Sequence, residues 1–370
     1  MTEVLAADAV LFEGRTGPGW LAIDDGRVVE VGRTRPPAGA RGLGDVLIAP
    51  GFVDIQVNGV GGVDLLRAEG ADLTVAGLAL ACAGTTSYLP TLCSSPRDRY
   101  PAALDRIAAA RPTAAGARID GVHLEGPFLG GAPGAHPVAL LGPADPAFID
   151  GLLTGWPGLV RLVTLAPEAD PDRVAIGRLV AAGVRVALGH STCSYEAARA
   201  AADAGATIVT HLGNGMRPLH QRDPGLVGAG LTEPRLVPSL IADGVHLHDA
   251  FLRLATAARP DAILVSDAVA TGIEYFGAAV TGRDGAAFLD DGTLTGAVVG
   301  LDACVRTVVR VGVSVATALA MASVHPAQAI GLDTWGAVGV GGRADLVVLD
   351  PVTLEVRGVR VDGRVPGGPP

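Results

Sequence analysis

The sequence predicts an α/β fold, a (β/α)8 TIM-like barrel with a small β-sandwich domain built from both chain termini. Three observations carry this expectation. Apolar strand-like runs alternate with helix-period stretches from about residue 50 to 335. Both ends read instead as short strands separated by turns. And five chemically capable residues, Glu125, His190, His211, His246 and Asp267, each stand at the end of a different apolar run.

The first fifty residues offer VLAADAVLF, GWLAIDDGRVVEVG and DVLIAPG, and the last thirty-odd offer ADLVVLDP and LEVRGVRVDG, with DDG and VDG where hairpins would turn. Neither end has enough alternating residues for a core of its own. Pairing them makes one domain of residues 1–49 and 336–370, with the barrel, 50–335, inserted between. Barrel strands are expected in FVDIQVN, TTSYLPT, RIDGVHL, VRLVTLAP, VRVALG, TIVTH, VPSLIADG and AILVSD. Helical stretches such as ADLTVAGLALACA, PDRVAIGRLVAAG and SYEAARAAADAG lie between them. A doubly wound open sheet has the same periodicity, but residues following five strands meet at one point only in a closed sheet. The Gly/Pro-rich segment 129–145 reads as a lid-like loop and the final VPGGPP as a frayed tail.

A net charge of −10 argues against a nucleic-acid partner. No apolar stretch is long enough for a membrane span, and the N-terminus lacks a signal-peptide pattern, so the reading is cytoplasmic. The four cysteines form no C-x-x-C pair and are expected as reduced, packed thiols. All 28 basic residues are arginine. Without lysine, Schiff-base chemistry, a P-loop and a carbamylated lysine bridging two metals are excluded.

Glu125, His190 and His211 make a one-carboxylate, two-imidazole set that leaves a metal position open for water. Singly, such residues serve as well as loop carboxylates or satisfied polar groups; the repetition at successive strand ends carries the metal reading. Asp267, a helix N-cap in the bland reading, ends the eighth strand, beside the first, where it suits proton transfer. His246 is placed to polarise a substrate carbonyl, with His248 as a surface residue. Ser191 and Thr192 are candidates to cap the following helix. Arg222, on the loop after strand six, is either a phosphate or carboxylate clamp or an exposed loop residue. His136 lies in the lid-like loop, His123 reads as strand packing, and His220 and His325 join no constellation.

The ordered segments GFVDIQVNG, TTSYLPT, GVHLEGPF, VTLAPE, GHS, THLGNGM, RDPG, IADGVH, LVSDA and GGRADLVVLD resemble the N-acetylglucosamine-6-phosphate deacetylase family of the amidohydrolase superfamily. The resemblance implies a (β/α)8 barrel with a terminal β-sandwich, hydrolysis of a phosphorylated N-acetyl amino sugar, and a homodimer. By motif it makes Glu125, His190 and His211 metal ligands and Asp267 the catalytic acid/base. Asp243, Gly244, Val245 and His246 match its substrate-contacting D-G-x-H, with His246 against the acetamido carbonyl. Ala135 and His136 match the lid pair, and Asn214, Gly215 and Arg222 the sugar-phosphate contacts. Val299, Gly300 and Leu301 fall in the substrate loop.

Where many amidohydrolases carry H-x-H, this chain has Gln56 and Asn58. Amides are poor zinc ligands, so one divalent metal per subunit is expected, zinc first and iron as the alternative. Departures fall at Gly213, where the family has an aromatic, at Gly215, where it has alanine, and at Gly296–Leu301, which has lost two hydroxyls. A deacetylase of another N-acetyl amino sugar and a non-catalytic sugar-phosphate sensor are the rival readings.

Overall fold

The computed structural model describes residues 2–332 and 338–367 of the chain. Its centre is a ring of parallel strands: β1 (Phe52–Val57), β2 (Thr85–Cys93), β3 (Val122–Glu125), β4 (Val160–Leu165), β5 (Arg185–Leu188), β6 (Ile208–Val209), β7 (Val237–Leu240) and β8 (Ile263–Leu264). Helices α1 (Gly70–Cys82), α2 (Arg99–Ala110), α3 (Pro146–Gly155), α4 (Val174–Ala181), α5 (Tyr195–Asp203), α6 (Gly225–Thr232) and α7 (Asp249–Ala258) separate consecutive strands, and α8 (Leu301–Arg310) follows the last. Each strand overlaps a run expected from the sequence, with β2 and β3 reaching past TTSYLPT and RIDGVHL to Cys93 and Glu125.

Consecutive strands are neighbours from β1 round to β8. The ring closes just past β8, where Val57 bridges Ala268, the Asp267 amide donates to the Gln56 carbonyl (3.0 Å) and the Asn58 amide to the Ala268 carbonyl (2.9 Å). An open doubly wound sheet has no such seam between its first and last strands. Asp54 strengthens it: Oδ1 accepts from the backbone amides of Gln56 (3.3 Å) and Ser266 (3.2 Å).

The helices follow their sequence pattern. In α2 the buried residues Tyr100, Ala103, Leu104, Ile107 and Ala110 form one stripe at helical spacing. Asp145 caps α3 by accepting from the Ala147 and Phe148 amides, with Pro146 at the first helical position. Ser194, rather than Ser191 or Thr192, caps α5 by accepting from the Ala197 amide; Ser191 and Thr192 instead bond to Glu168.

The chain ends form two four-stranded sheets. In the first, Gly19–Asp24 and Arg27–Gly32 join through Asp25 (φ 45°) and Gly26 (φ 70°), the left-handed pair that a tight two-residue hairpin requires. In the second, Leu47–Pro50 pairs antiparallel with Leu346–Leu349, so an early strand and a late one share a sheet. Leu5, Leu21, Ile23, Val28, Ile48 and Leu346 pack into a common core. The VDG signal does not make the C-terminal hairpin; it gives only an isolated bridge, Val361 to Arg364. That hairpin instead turns after Asp350, whose carboxylate accepts from the Val352 and Thr353 amides. The expected domain boundary at 335/336 and the last three residues of the tail lie outside the described residues.

A four-stranded antiparallel sheet between β8 and α8 was not expected. It comprises Glu274–Tyr275, Ala278–Arg283, Ala286–Leu289 and Leu294–Ala297. Its central hairpin turns on Asp284 and Gly285, both at positive φ, a signal present in the sequence. Among the described residues no helix is long and apolar enough to cross a membrane. The four cysteines are free thiols, and Cys82, expected to be packed, is exposed.

Candidate active site

The three proposed ligand side chains converge at the C-terminal ends of the strands. Glu125 Oε1 lies 3.2 Å from His190 Nε2 and 3.0 Å from His211 Nε2, and the two imidazole nitrogens are 3.1 Å apart. Tetrahedral ligands about 2.0–2.1 Å from a zinc ion stand about 3.3 Å from one another, so this spacing fits a single divalent ion. His190 Nδ1–H donates to the Ala132 carbonyl (3.1 Å), which fixes the tautomer with the Nε2 lone pair facing the carboxylate. Burial works to raise the Glu125 carboxyl, but the adjoining His190 and His211 imidazoles outweigh it and hold it well below its ordinary range. His190 (φ 50°), His211 (φ 32°) and Asp267 (φ 49°) all have left-handed backbones, a costly conformation for residues other than glycine. Strain gathered at these strand ends marks a functional site rather than ordinary packing.

Asp267 faces the same point. Its Oδ1 accepts from Asn58 Nδ2 at 2.7 Å, and it caps no helix. Burial first, then the nearby Glu125 carboxylate, raises it to about 7, where a carboxyl both accepts and returns a proton near neutrality. Gln56 Nε2 donates to Glu125 Oε1 (3.0 Å). The two amides in the H-x-H place thus bond to carboxylates.

Asp243 organises the D-G-x-H loop. Its Oδ1 accepts from the Val245 and His246 amides, and its Oδ2 lies 2.6 Å from His246 Nδ1. With Nδ1–H committed to Asp243, His246 turns Nε2 towards the cavity it lines. Burial works to raise Asp243, and the His246 contact outweighs it, so the carboxyl lies below its ordinary value.

The 129–145 loop folds over this centre. Ala135 and His136 line the cavity, and His136 is buried, with Nδ1 2.8 Å from Ser94 Oγ. Burial, then the nearby His190, lowers the His136 imidazole to about 3, so it is neutral. Glu168, in the VTLAPE segment but given no role by the sequence, anchors the loop's base by accepting from the Gly131 and Thr192 amides.

Asn214, Gly215 and His246 complete the wall of a cavity of about 180 Å³. Gly215 has φ 57°, and a Cβ there would stand 2.7 Å from His190 Nδ1, so the alanine usual in the family does not fit this arrangement. Asp243, Gly244, Val245, Val299, Gly300 and Leu301 are not among the lining residues. Arg222 is not either: it is exposed on its loop, its amide bonded to His220 Nδ1. The inserted sheet supplies Tyr275, Phe276, Leu294 and Thr295 to the wall instead. Thr295 Oγ1 is buried without a hydrogen-bond partner, a pocket hydroxyl that the departures at Gly296–Leu301 did not lead one to expect.

The remaining histidines behave as expected. His123 is buried between Thr91 Oγ1 (3.2 Å) and Thr164 Oγ1 (2.8 Å). His248 is exposed and accepts from the Ala250 amide at the start of α7. His220 is exposed, and His325 Nδ1–H donates to the Ala262 carbonyl.

A closed parallel barrel with one carboxylate, two imidazoles and a buried aspartate of raised pKa at its C-terminal mouth defines a metal-dependent hydrolase. Residues 47–365 match the amidohydrolase family, and the chain belongs to it, in the branch of the amino-sugar-6-phosphate deacetylases. It is 42% identical over 347 residues to the N-acetylglucosamine-6-phosphate deacetylase of Rattus norvegicus, covering 88% of this chain and 84% of the relative. To the N-acetylgalactosamine-6-phosphate deacetylase of Escherichia coli O157:H7 it is 36% identical over 379 residues, 99% of each. A mutant N-acetyl-D-glucosamine-6-phosphate deacetylase from Mycobacterium smegmatis, solved with N-acetyl-D-glucosamine-6-phosphate, superposes with a TM-score of 0.91 at 36% identity, covering 98% of this chain and 99% of that one.

Proposed function

We propose that the chain deacetylates N-acetyl-D-glucosamine 6-phosphate, giving D-glucosamine 6-phosphate and acetate. The observation that carries this reading is the convergence of Glu125, His190, His211 and Asp267 on one buried point in a chain of this family. When held by Glu125, His190 and His211, a divalent ion supplies a Lewis acid and a water of lowered pKa. Asp267, held by Asn58, takes a proton from water as the oxygen attacks the acetyl carbon, and returns it to the departing nitrogen. His246 faces the acetyl oxygen. Because its Nδ1–H is given to Asp243, Nε2 donates only in the imidazolium form, for which ionised Asp243 is the counter-charge. Such a donor contributes about 3 kcal/mol to stabilising the oxyanion. Ala135, His136, Asn214 and Gly215 shape the sugar site, Asp243–Val245 hold its edge, Val299–Leu301 support the sheet that bounds it, and Arg222 binds the phosphate at the mouth. Zinc rather than iron, a homodimer and a cytoplasmic setting belong to the same reading; elemental analysis and light scattering on purified protein test the first two.

A second reading, the galacto-epimer as substrate, is favoured by the relative of that activity matching 99% of the chain. Acetate release from both N-acetylated 6-phosphates and from their unphosphorylated sugars decides. No acetate from any of them sinks the enzyme assignment, and a higher kcat/KM for the galacto-epimer changes the substrate.

A further inference from the structure

Cys93 ends β2 at the floor of the cavity, and the chemistry above does not use it. Its Sγ lies 3.1 Å from Asn58 Oδ1 and 3.5 Å from Glu125 Oε2. Glu125 turns Oε1 to His190 and His211, so Oε2 faces away from that set. On its other side His136 Nε2 stands 3.7 Å from Oε2, while His136 Nδ1 is engaged by Ser94. The three residues are buried, and one donor atom from each lies within 4.8 Å of the others. A tetrahedral ion with sulfur at about 2.3 Å and nitrogen or oxygen at about 2.0–2.1 Å sets its donors about 3.3–3.6 Å apart. The sulfur–carboxylate gap already has that value, and the 3.7 Å from carboxylate to imidazole exceeds it by a few tenths of an ångström.

We propose that Cys93, Glu125 and His136 form a second divalent-metal position, selective for thiophilic ions such as zinc, cobalt or cadmium, which shares the Glu125 carboxylate with the first. It goes beyond the deacetylase reading and rests on it only through that shared residue. Gln56 and Asn58 are occupied with the carboxylates of Glu125 and Asp267, and the ligand they do not provide comes from the adjacent strand as a thiol. A thiolate with an imidazole and a carboxylate selects soft and borderline ions over magnesium or calcium. On binding, the Cys93 thiol releases its proton to solvent and a sulfur–metal bond forms, with no change of oxidation state. His136 belongs to the 129–145 loop whereas Cys93 and Glu125 belong to barrel strands, so an ion here fastens the loop to the barrel and holds the cavity shut.

The test is cobalt(II) titration of metal-depleted, full-length protein, with stoichiometry by elemental analysis and the near-ultraviolet thiolate-to-cobalt charge-transfer band as a reporter. The wild type should take two equivalents, the band growing with the second. Cys93→Val and His136→Gln should each take one, and Cys93→Val should show no band. A wild type saturating at one equivalent overturns the site, as does a band that survives Cys93→Val. If Cys93→Val fails to fold, His136→Gln decides: two equivalents retained overturn the proposal, and one supports it. One equivalent together with acetate release removes only this site, whereas two without acetate release sinks the deacetylase reading and leaves the site standing.

Discussion

Asp54 stitches the first strand of the barrel to the last, and burial of its carboxyl should appear as a pH-dependent stability cost. It is fully buried, one carboxylate oxygen has no hydrogen-bond partner, and desolvation raises it from 3.8 to about 7. A carboxyl with a raised folded-state value binds its proton more tightly in the native than in the unfolded chain. Stability is therefore fully present below the unfolded value, declines as pH rises from about 4, and levels off above about 7. Asparagine at this position keeps an acceptor for the Gln56 and Ser266 amides but cannot ionise. Between pH 5 and pH 8 the stability of Asp54→Asn relative to wild type should therefore rise by about 2–3 kcal/mol. Any cost of the buried amide is the same at both pH values and cancels. Urea unfolding of both proteins at the two pH values measures the change through the midpoint at constant m. A difference that stays flat, or shrinks on going to pH 8, would refute the account of a charge buried in the seam.

Four further outcomes are expected. Asp267→Asn should lower turnover by about 10²–10⁴ or more while metal content at the Glu125 centre stays at the wild-type level; acetate release near wild type would remove Asp267 from proton transfer. Thr295→Val should raise KM by about 5–10-fold with little change in kcat, since it deletes a hydroxyl that lacks a protein partner; an unchanged KM means the substrate does not use it. Arg222→Ala should raise KM for the phosphorylated sugar and leave the unphosphorylated analogue unaffected, and equal effects on both would end the phosphate assignment. Chelation should stop acetate release and lower Tm, with added zinc restoring both; activity undiminished by a strong chelator would dismiss the metal.

The eight barrel strands were legible because each is a short apolar run ended by a polar residue or a turn. Closure followed from chemistry, since Glu125, His190, His211, His246 and Asp267 leave different strands yet belong together. The inserted sheet escaped because its strands are two to six residues long and alternate weakly, with only Asp284-Gly285 as a turn signal. With it went Tyr275, Phe276 and Thr295, whose place in the wall depends on where that sheet docks. Glu168 lay in a segment that the sequence singled out and Cys93 two residues past one, but what each side chain touches depends on partners distant along the chain. Arg222 shows the converse: a motif position identifies a candidate, while its exposure is set by how the surrounding loop folds.

The pairing of Ala49 with Val347 imposes an order on biosynthesis. At ribosomal rates of about 5–20 residues per second, the later strand emerges on the order of 15–60 s after the earlier one. Through that interval Leu47–Pro50 offers a bare hydrogen-bonding edge beside an uncovered apolar surface, the kind of template on which nascent chains aggregate. Chaperones that bind such edges have their window there, and it closes only when the late strand arrives.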